Sequence, residues 1–129
     1  MIARRGRGSF VPCFTLALRS DDTAVIEEIA ARLGFGRVYQ VVQKTAGRPD
    51  RYRVEWKVNT KADVVAFATF LRRFPLRSKK ARDASLWLEA VDLWANREGH
   101  RGKGREPHPV QVQLRELKRT MEEDRRFAA

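Results

Sequence analysis

One cysteine, two histidines and no apolar run of membrane length: the 129-residue chain is poor in the groups that most often carry chemistry. The lone Cys13 excludes an internal disulfide and fits a reducing compartment. It stands between Pro12 and Phe14 in an alternating run, which reads as a small strand residue rather than a nucleophile. His100 and His108 fall in a Gly/Pro-rich stretch, where no metal role is expected. Cys-x-x-Cys, His-x-x-His, Gly-x-Ser-x-Gly and phosphate-loop signatures are absent, which removes the usual zinc, serine-hydrolase and nucleotide-loop chemistries. A membrane span needs roughly 20 apolar residues, and nothing approaches it. The start, through Leu18, mimics a signal peptide. Its apolar run is short, alternating and interrupted by Pro12. It ends in Arg19-Ser20-Asp21-Asp22 without a small-residue cleavage site, so secretion is not expected.

Acids are the other scarcity. Between Arg37 and Arg82 only Asp50, Glu55 and Asp63 stand against thirteen Lys and Arg, which places ten of the formal net charge of +11 in the middle third. A merely solvated surface mixes its signs. Arg far outnumbers Lys, which favours phosphate and base-edge contacts over simple solubility. At this length one domain is the default, and roughly two-thirds of the unfolded surface can be buried.

What is present is pattern. Phe10, Phe14, Leu16 and Leu18 alternate with Val11, Cys13, Thr15 and Ala17 and predict a strand. Arg5-Gly6-Arg7-Gly8 has the composition of a hairpin turn, with residues 1–4 as the stub of a preceding strand. Asp21 and Asp22 are placed to cap a helix that carries Val25, Ile26, Ile29, Ala30 and Leu33 at helical spacing, with Gly34 as its stop. Residues 36–44 are β-rich and residues 46–50 compose a turn. Residues 51–58 alternate cleanly. Tyr52, Val54, Trp56 and Val58 point one way, and Arg51, Arg53, Glu55 and Lys57 the other, as in an antiparallel sheet covered on one face.

Thr60-x-x-Asp63 resembles a capping box for a helix with Val64, Phe67, Ala68 and Leu71 on one stripe, ending at Phe74-Pro75. Ser78 is placed to cap a third helix running to about Arg97, apolar almost all round and therefore buried on two sides. Lys79 and Lys80 sit at its start against the helix dipole, a mildly unfavourable placement that hints at a functional demand. Residues 99–109 read as a linker, and 110–126 as an amphipathic helix with Val110, Leu114, Leu117 and Met121 on one side. The order β-β-α-β-β-α-α plus a tail helix predicts an α+β fold, an antiparallel sheet with helices packed on one face.

Taking the odd strand positions as outward gives a face of Thr15, Arg19, Arg37, Tyr39, Gln43, Arg51, Arg53, Glu55 and Lys57, with Val41 among them. Arg and Gln read guanine and adenine edges bidentately in the major groove, and strands fit that groove. One strand of this kind is an ordinary exposed surface. Three strands with one sign of charge point to double-stranded nucleic acid.

Four ordered blocks then carry a resemblance. They are Phe10-Val-Pro-Cys-Phe-Thr-Leu-Ala-Leu-Arg-Ser-Asp-Asp22, Arg32-Leu-Gly-Phe-Gly-Arg-Val-Tyr39, Val54-x-Trp56-x-Val58 and Phe74-Pro-Leu-Arg-Ser-Lys-Lys-Ala-Arg-Asp83. Together they resemble the LAGLIDADG homing endonucleases, most closely the small single-motif bacterial members, over about residues 1–97. The resemblance implies a saddle-shaped antiparallel sheet on the major groove of DNA, helices behind it, and two copies, from one chain or from a homodimer, per site. It implies metal-dependent endonuclease activity, with Mg2+ held by the last acid of the motif helix. It also implies an association with introns or inteins, and a cytoplasmic, nucleoid-associated location. Lys79 matches the family's lysine near the scissile phosphate, and Lys80 is its neighbouring alternative.

The motif helix and its acid should precede the first strand, yet Met1-Ile2-Ala3 is already in or beyond that strand. Sliding the alignment makes Gly6-Arg7-Gly8-Ser9-Phe10 the motif end, which puts Arg7 where the acid belongs and deletes a hairpin. In either register the metal-binding acid is missing, so no metal ligand is assigned. The expected organisation is a domain over 1–98 lacking its motif helix, a linker over 99–109 and a tail helix over 110–129. The DNA-binding residues expected are Arg19, Arg37, Tyr39, Gln43, Arg51, Arg53, Lys57 and Lys80, with Lys79 as the catalytic candidate. The alternatives are a non-cleaving DNA- or RNA-binding module, maturase-like or regulator-like, and a small basic ribosome-associated protein.

Overall fold

Period-two alternation and helical stripes resolve into nine elements in the computed structural model, which describes residues 1–5, 9–96 and 109–127. In chain order they begin with strands β1 (Ile2–Arg5), β2 (Ser9–Pro12) and β3 (Phe14–Arg19) and helix α1 (Thr23–Leu33). Strands β4 (Arg37–Gln43) and β5 (Arg51–Val58) follow, then helices α2 (Lys61–Arg73), α3 (Lys80–Ala95) and α4 (Pro109–Phe127). β1 pairs antiparallel with β2, and the second sheet has the order β3-β5-β4, also antiparallel. This is the expected α+β architecture. The single long strand predicted over residues 10–18 is broken at Cys13, where Val11 and Pro12 are buried in succession and the alternation lapses. Trp87 bridges the break: its Nε1–H donates to the Met1 carbonyl at 3.0 Å and to the Cys13 carbonyl at 3.1 Å.

The register selects the first alignment. Arg5 pairs with Ser9 and Ile2 with Pro12, so a β1–β2 hairpin exists and cannot be deleted. Its tip, residues 6–8, lies outside the described residues, as does the predicted linker with His100 and His108 except for its last residue, Pro109, which opens α4.

The core lies between the inward face of β3-β5-β4 and the helices. Val54, Trp56 and Val58 are buried, as are Val64, Phe67, Ala68 and Leu71 of α2, the four stripe positions. Aromatic rings tie the layers together: Trp56 meets Phe67 at 5.6 Å edge-on, and Phe67 meets Trp87 of α3 at 5.6 Å. α3 buries Leu86, Trp87, Ala90, Val91 and Trp94 and packs on α2, α4 and β2, which explains its nearly all-round apolar sequence.

α4 docks on α3 and β2. Leu114 and Met121 are buried, and the Gln111 Oε1 accepts from the Phe10 amide at 2.5 Å. Two crossed ion pairs, Arg82–Asp124 and Arg125–Asp83, each at 3.2 Å, join the start of α3 to the end of α4. Partly exposed pairs of this kind contribute about 0–1 kcal/mol. Burying a Leu or Met side chain contributes about 1.5–3 kcal/mol, so the apolar stripe holds the helix and the ion pairs set its register.

Local signals held unevenly. Gly34 ends α1 at φ 75, as its position implied. Asp21 and Asp22 lie in a 3-10 turn and cap nothing; Thr23 Oγ1 instead donates to the Ser20 carbonyl at 2.6 Å. The Thr60 hydroxyl caps α2 by accepting from the Asp63 amide at 3.3 Å. The Asp63 carboxylate does not complete the box. It accepts from the Gly36 amide at 3.2 Å and so tethers the start of β4. α3 ends at Ala95 rather than near Arg97, and its cap residue is Lys79. Ser78 sits one place earlier at φ 102, with its Oγ accepting from the Lys80 amide at 3.4 Å.

Gly36 is required twice over. Its φ is +83, and a Cβ built there would stand 2.1 Å from Trp56 Nε1. Gly36→Ala should therefore destabilise the protein by roughly 2 kcal/mol or more, from left-handed strain plus displacement of a buried indole. A urea midpoint unchanged from wild type would contradict this packing.

Candidate nucleic-acid interface

Residues directly opposite in adjacent strands point to the same side of a sheet. β5 is central, so its register with both neighbours defines the outward face. Arg53 lies between Arg19 and Val41, Glu55 between Ala17 and Tyr39, and Lys57 between Thr15 and Arg37; Arg51 faces Gln43. Arg19, Arg37, Tyr39, Gln43, Arg51, Arg53 and Lys57 thus share one face, opposite the buried Val54, Trp56 and Val58.

Like charges directly across strands destabilise a sheet, yet Arg19 faces Arg53 and Arg37 faces Lys57. Glu55 separates the two cationic rows. Sequence alternation placed it in solvent like its neighbours. It is in fact 5% exposed, with Arg53 Nη2 at 2.9 Å from Oε1 and Lys57 Nζ at 3.3 Å from Oε2. The Lys57 ammonium also lies 5.5 Å from the centre of the Tyr39 ring, a cation–π contact. At one end of the face, Arg19, Gln43, Arg51 and Arg53 line an open cleft of about 1060 Å³ with Asp21, Asp22 and Asp50. Those three acids were not assigned to this face from sequence; the 3-10 turn after β3 and the residue before β5 bring them beside the arginines.

Lys79 and Lys80 stand apart from this face, exposed at the start of α3. Lys80 Nζ is 3.8 Å from Asp83 Oδ2; Lys79 makes no ion pair among the described residues. Lys80, Asp83 and Arg125 rim an apolar cavity of about 650 Å³ lined by Phe14, Leu16, Trp56, Phe67, Trp87 and Met121. Met1 also lines it. Its side chain is half exposed, but burial pushes its α-amino group down to about 6. Burial likewise pushes the Cys13 thiol up, which fits a packing residue at the break between β2 and β3 rather than a nucleophile.

A divalent metal needs converging carboxylate or imidazole ligands. No group of three or more His, Cys, Asp or Glu able to hold an ion occurs among the described residues. Asp83, near Lys80, and Asp124 are each bound to an arginine. The residues described therefore do not fit an Mg2+ site. Among them, too, no helix is long and apolar enough to cross a membrane.

No protein-family profile and no curated protein matches the chain. Solved structures do. The LAGLIDADG meganuclease I-AabMI bound to uncleaved DNA is 26% identical over 65% of this chain and 27% of its own, with a TM-score of 0.53. The meganuclease I-SmaMI bound to uncleavable DNA is 18% identical over 82% of this chain and 32% of its own, at 0.58. The homing endonuclease I-TnaI is 19% identical over 96% of this chain and 86% of its own, at 0.54. The chain thus spans about a third or less of the two DNA-bound meganucleases and most of I-TnaI. An antiparallel sheet backed by helices, with its outward face cationic, is in this chain a LAGLIDADG homing-endonuclease-like fold.

Proposed function

We propose that this chain binds double-stranded DNA by laying the outward face of β3-β5-β4 in the major groove. One observation carries the reading: Arg19, Arg37, Tyr39, Gln43, Arg51, Arg53 and Lys57 share a single face, at the cost of two like-charge pairs across strands. Three strands at about 4.8 Å spacing are about 10 Å wide, and the groove is about 12 Å wide. The eight residues of β5 extend about 26 Å, the length of about eight base pairs. The solved structures of I-AabMI and I-SmaMI, which share the fold, hold DNA.

Lys79 and Lys80 extend the reading beyond the sheet. In this reading Lys79 stabilises charge on a scissile phosphate and Lys80 contacts the backbone beside it. Cleavage belongs to the reading only where a metal-binding acid reaches that site from outside the described residues. Residues 1–98 then act as the binding domain without its motif helix, and a second copy supplies the other half of the site. The location that goes with this reading is the cytoplasm, at the nucleoid. Without such an acid the chain is a non-cleaving DNA-binding module.

The test is titration of a labelled duplex with single variants. Arg51→Ala and Arg53→Ala should each weaken binding by about 1–3 kcal/mol if they contact bases or adjacent phosphates. Wild-type affinity in both variants would remove the sheet face as the interface.

A further inference from the structure

We infer that Glu55 is a positioning residue that fixes Arg53 for reading a base pair and so sets sequence preference; this rests on the DNA-binding reading above. Glu55 sits midway along the central strand, on the face meant for solvent, and is nevertheless buried. Its neighbours explain how. Ala17 on β3 leaves space on one side, Tyr39 on β4 closes the other, and Arg53 and Lys57 fold over it from the same strand. Each cation takes a separate carboxylate oxygen.

A buried carboxylate is costly unless paired and hydrogen-bonded, and nothing in the core requires one here. What it does is local. Without it Arg53 would be repelled by Arg19 and Lys57 by Arg37, and both would swing into solvent, where a cation meets phosphates first. With it, Arg53 is held through Nη2 while its Nε is buried without a partner in the protein. The outer end of the guanidinium is the part left to the groove, and that end makes the bidentate contact to guanine O6 and N7. Arg51, two residues earlier on the same face, has no ion pair among the described residues. An Arg51 held by no ion pair of that kind suits a phosphate. Two arginines of one strand thus divide the work: Arg53 reads, and Arg51 anchors.

The experiment selects duplexes from a randomised pool with the full-length wild type, Glu55→Gln and Arg53→Lys, and titrates each protein against unselected duplex over a salt series. Glu55→Gln removes a negative charge from the face. It should bind unselected duplex several-fold more tightly, steepen the salt slope by about one phosphate contact, and lose about tenfold of its preference at one or two adjacent base pairs. Arg53→Lys keeps the charge but not the fork, and should lose the same preference while weakening binding to unselected duplex less than Arg53→Ala does. Urea midpoints of all three report folding separately. A purely structural Glu55 would lower the midpoint and leave the preference as it was; that result, or a wild type without any base preference, overturns the inference and leaves binding intact. Absence of salt-dependent duplex binding by the wild type overturns the functional reading as well.

Discussion

Raising the salt from about 50 to 200 mM should weaken binding of this chain to duplex DNA by roughly 10³-fold or more. The expectation follows from the number of cations on offer. Arg19, Arg37, Arg51, Arg53 and Lys57 occupy one face, and Lys79 and Lys80 stand exposed at the start of α3. Each phosphate neutralised releases condensed counterions, and the logarithm of affinity falls by about 0.9 per contact per decade of salt. About six contacts over that fourfold change give the stated loss. Glu55 works against the total by occupying part of Arg53 and Lys57, so a somewhat smaller slope fits partial engagement. A fluorescence-anisotropy salt series measures it directly. A slope near zero would mean that these side chains do not meet a polyanion, and the groove placement would fall with it.

Trp56→Ala should destabilise the fold by about 3–5 kcal/mol, against a total stability of about 5–15 kcal/mol for a domain of ordinary size. The indole is 2% exposed and ringed by Phe14 at 6.0 Å, Phe35 at 5.8 Å and Phe67 at 5.6 Å. Its Nε1–H donates to the Phe35 carbonyl at 3.0 Å, which satisfies the polar edge and fixes the chain just ahead of β4. Truncation therefore opens a large cavity and frees a carbonyl together. Trp56→Phe, which keeps a ring and loses the donor, should cost less. Urea unfolding reads both; a loss below about 1 kcal/mol for Trp56→Ala would show that the neighbouring rings close over the space.

Both results trace to β5, the element the sequence declared most openly. Strict alternation of four apolar with four charged residues fixes which side is wet, because a one-residue slip would bury Arg53 and expose Trp56. The stripes of α2 and α4 were legible for the same reason: Val64, Phe67, Ala68 and Leu71, and Leu114 and Met121, recur at helical spacing and are buried. The assembly of the candidate face followed from parity alone, since each predicted strand residue on it keeps its side in the observed register.

What escaped depended on partners distant in sequence. Periodicity assigned Glu55 to solvent, and only the convergence of Arg53 and Lys57 over it shows a buried carboxylate. Cap chemistry misled at Asp21 and Asp22, where a 3-10 turn intervenes before α1. It half misled at Asp63, whose carboxylate found the Gly36 amide 27 positions away rather than its own cap. The break at Cys13 was hidden because β2, which carries Val11 and Pro12, packs against both α3 and α4, which composition cannot place.

The beginning of the chain and the end of α4 meet at one corner. Met1 and Arg125 line the same cavity with Phe14, Leu16 and Trp56, whose side chains belong to the inward surface of the sheet. Met1 and Arg125 thus stand beside Lys80 on the side of the sheet away from its cationic face, and that face stays clear for something as broad as a double helix.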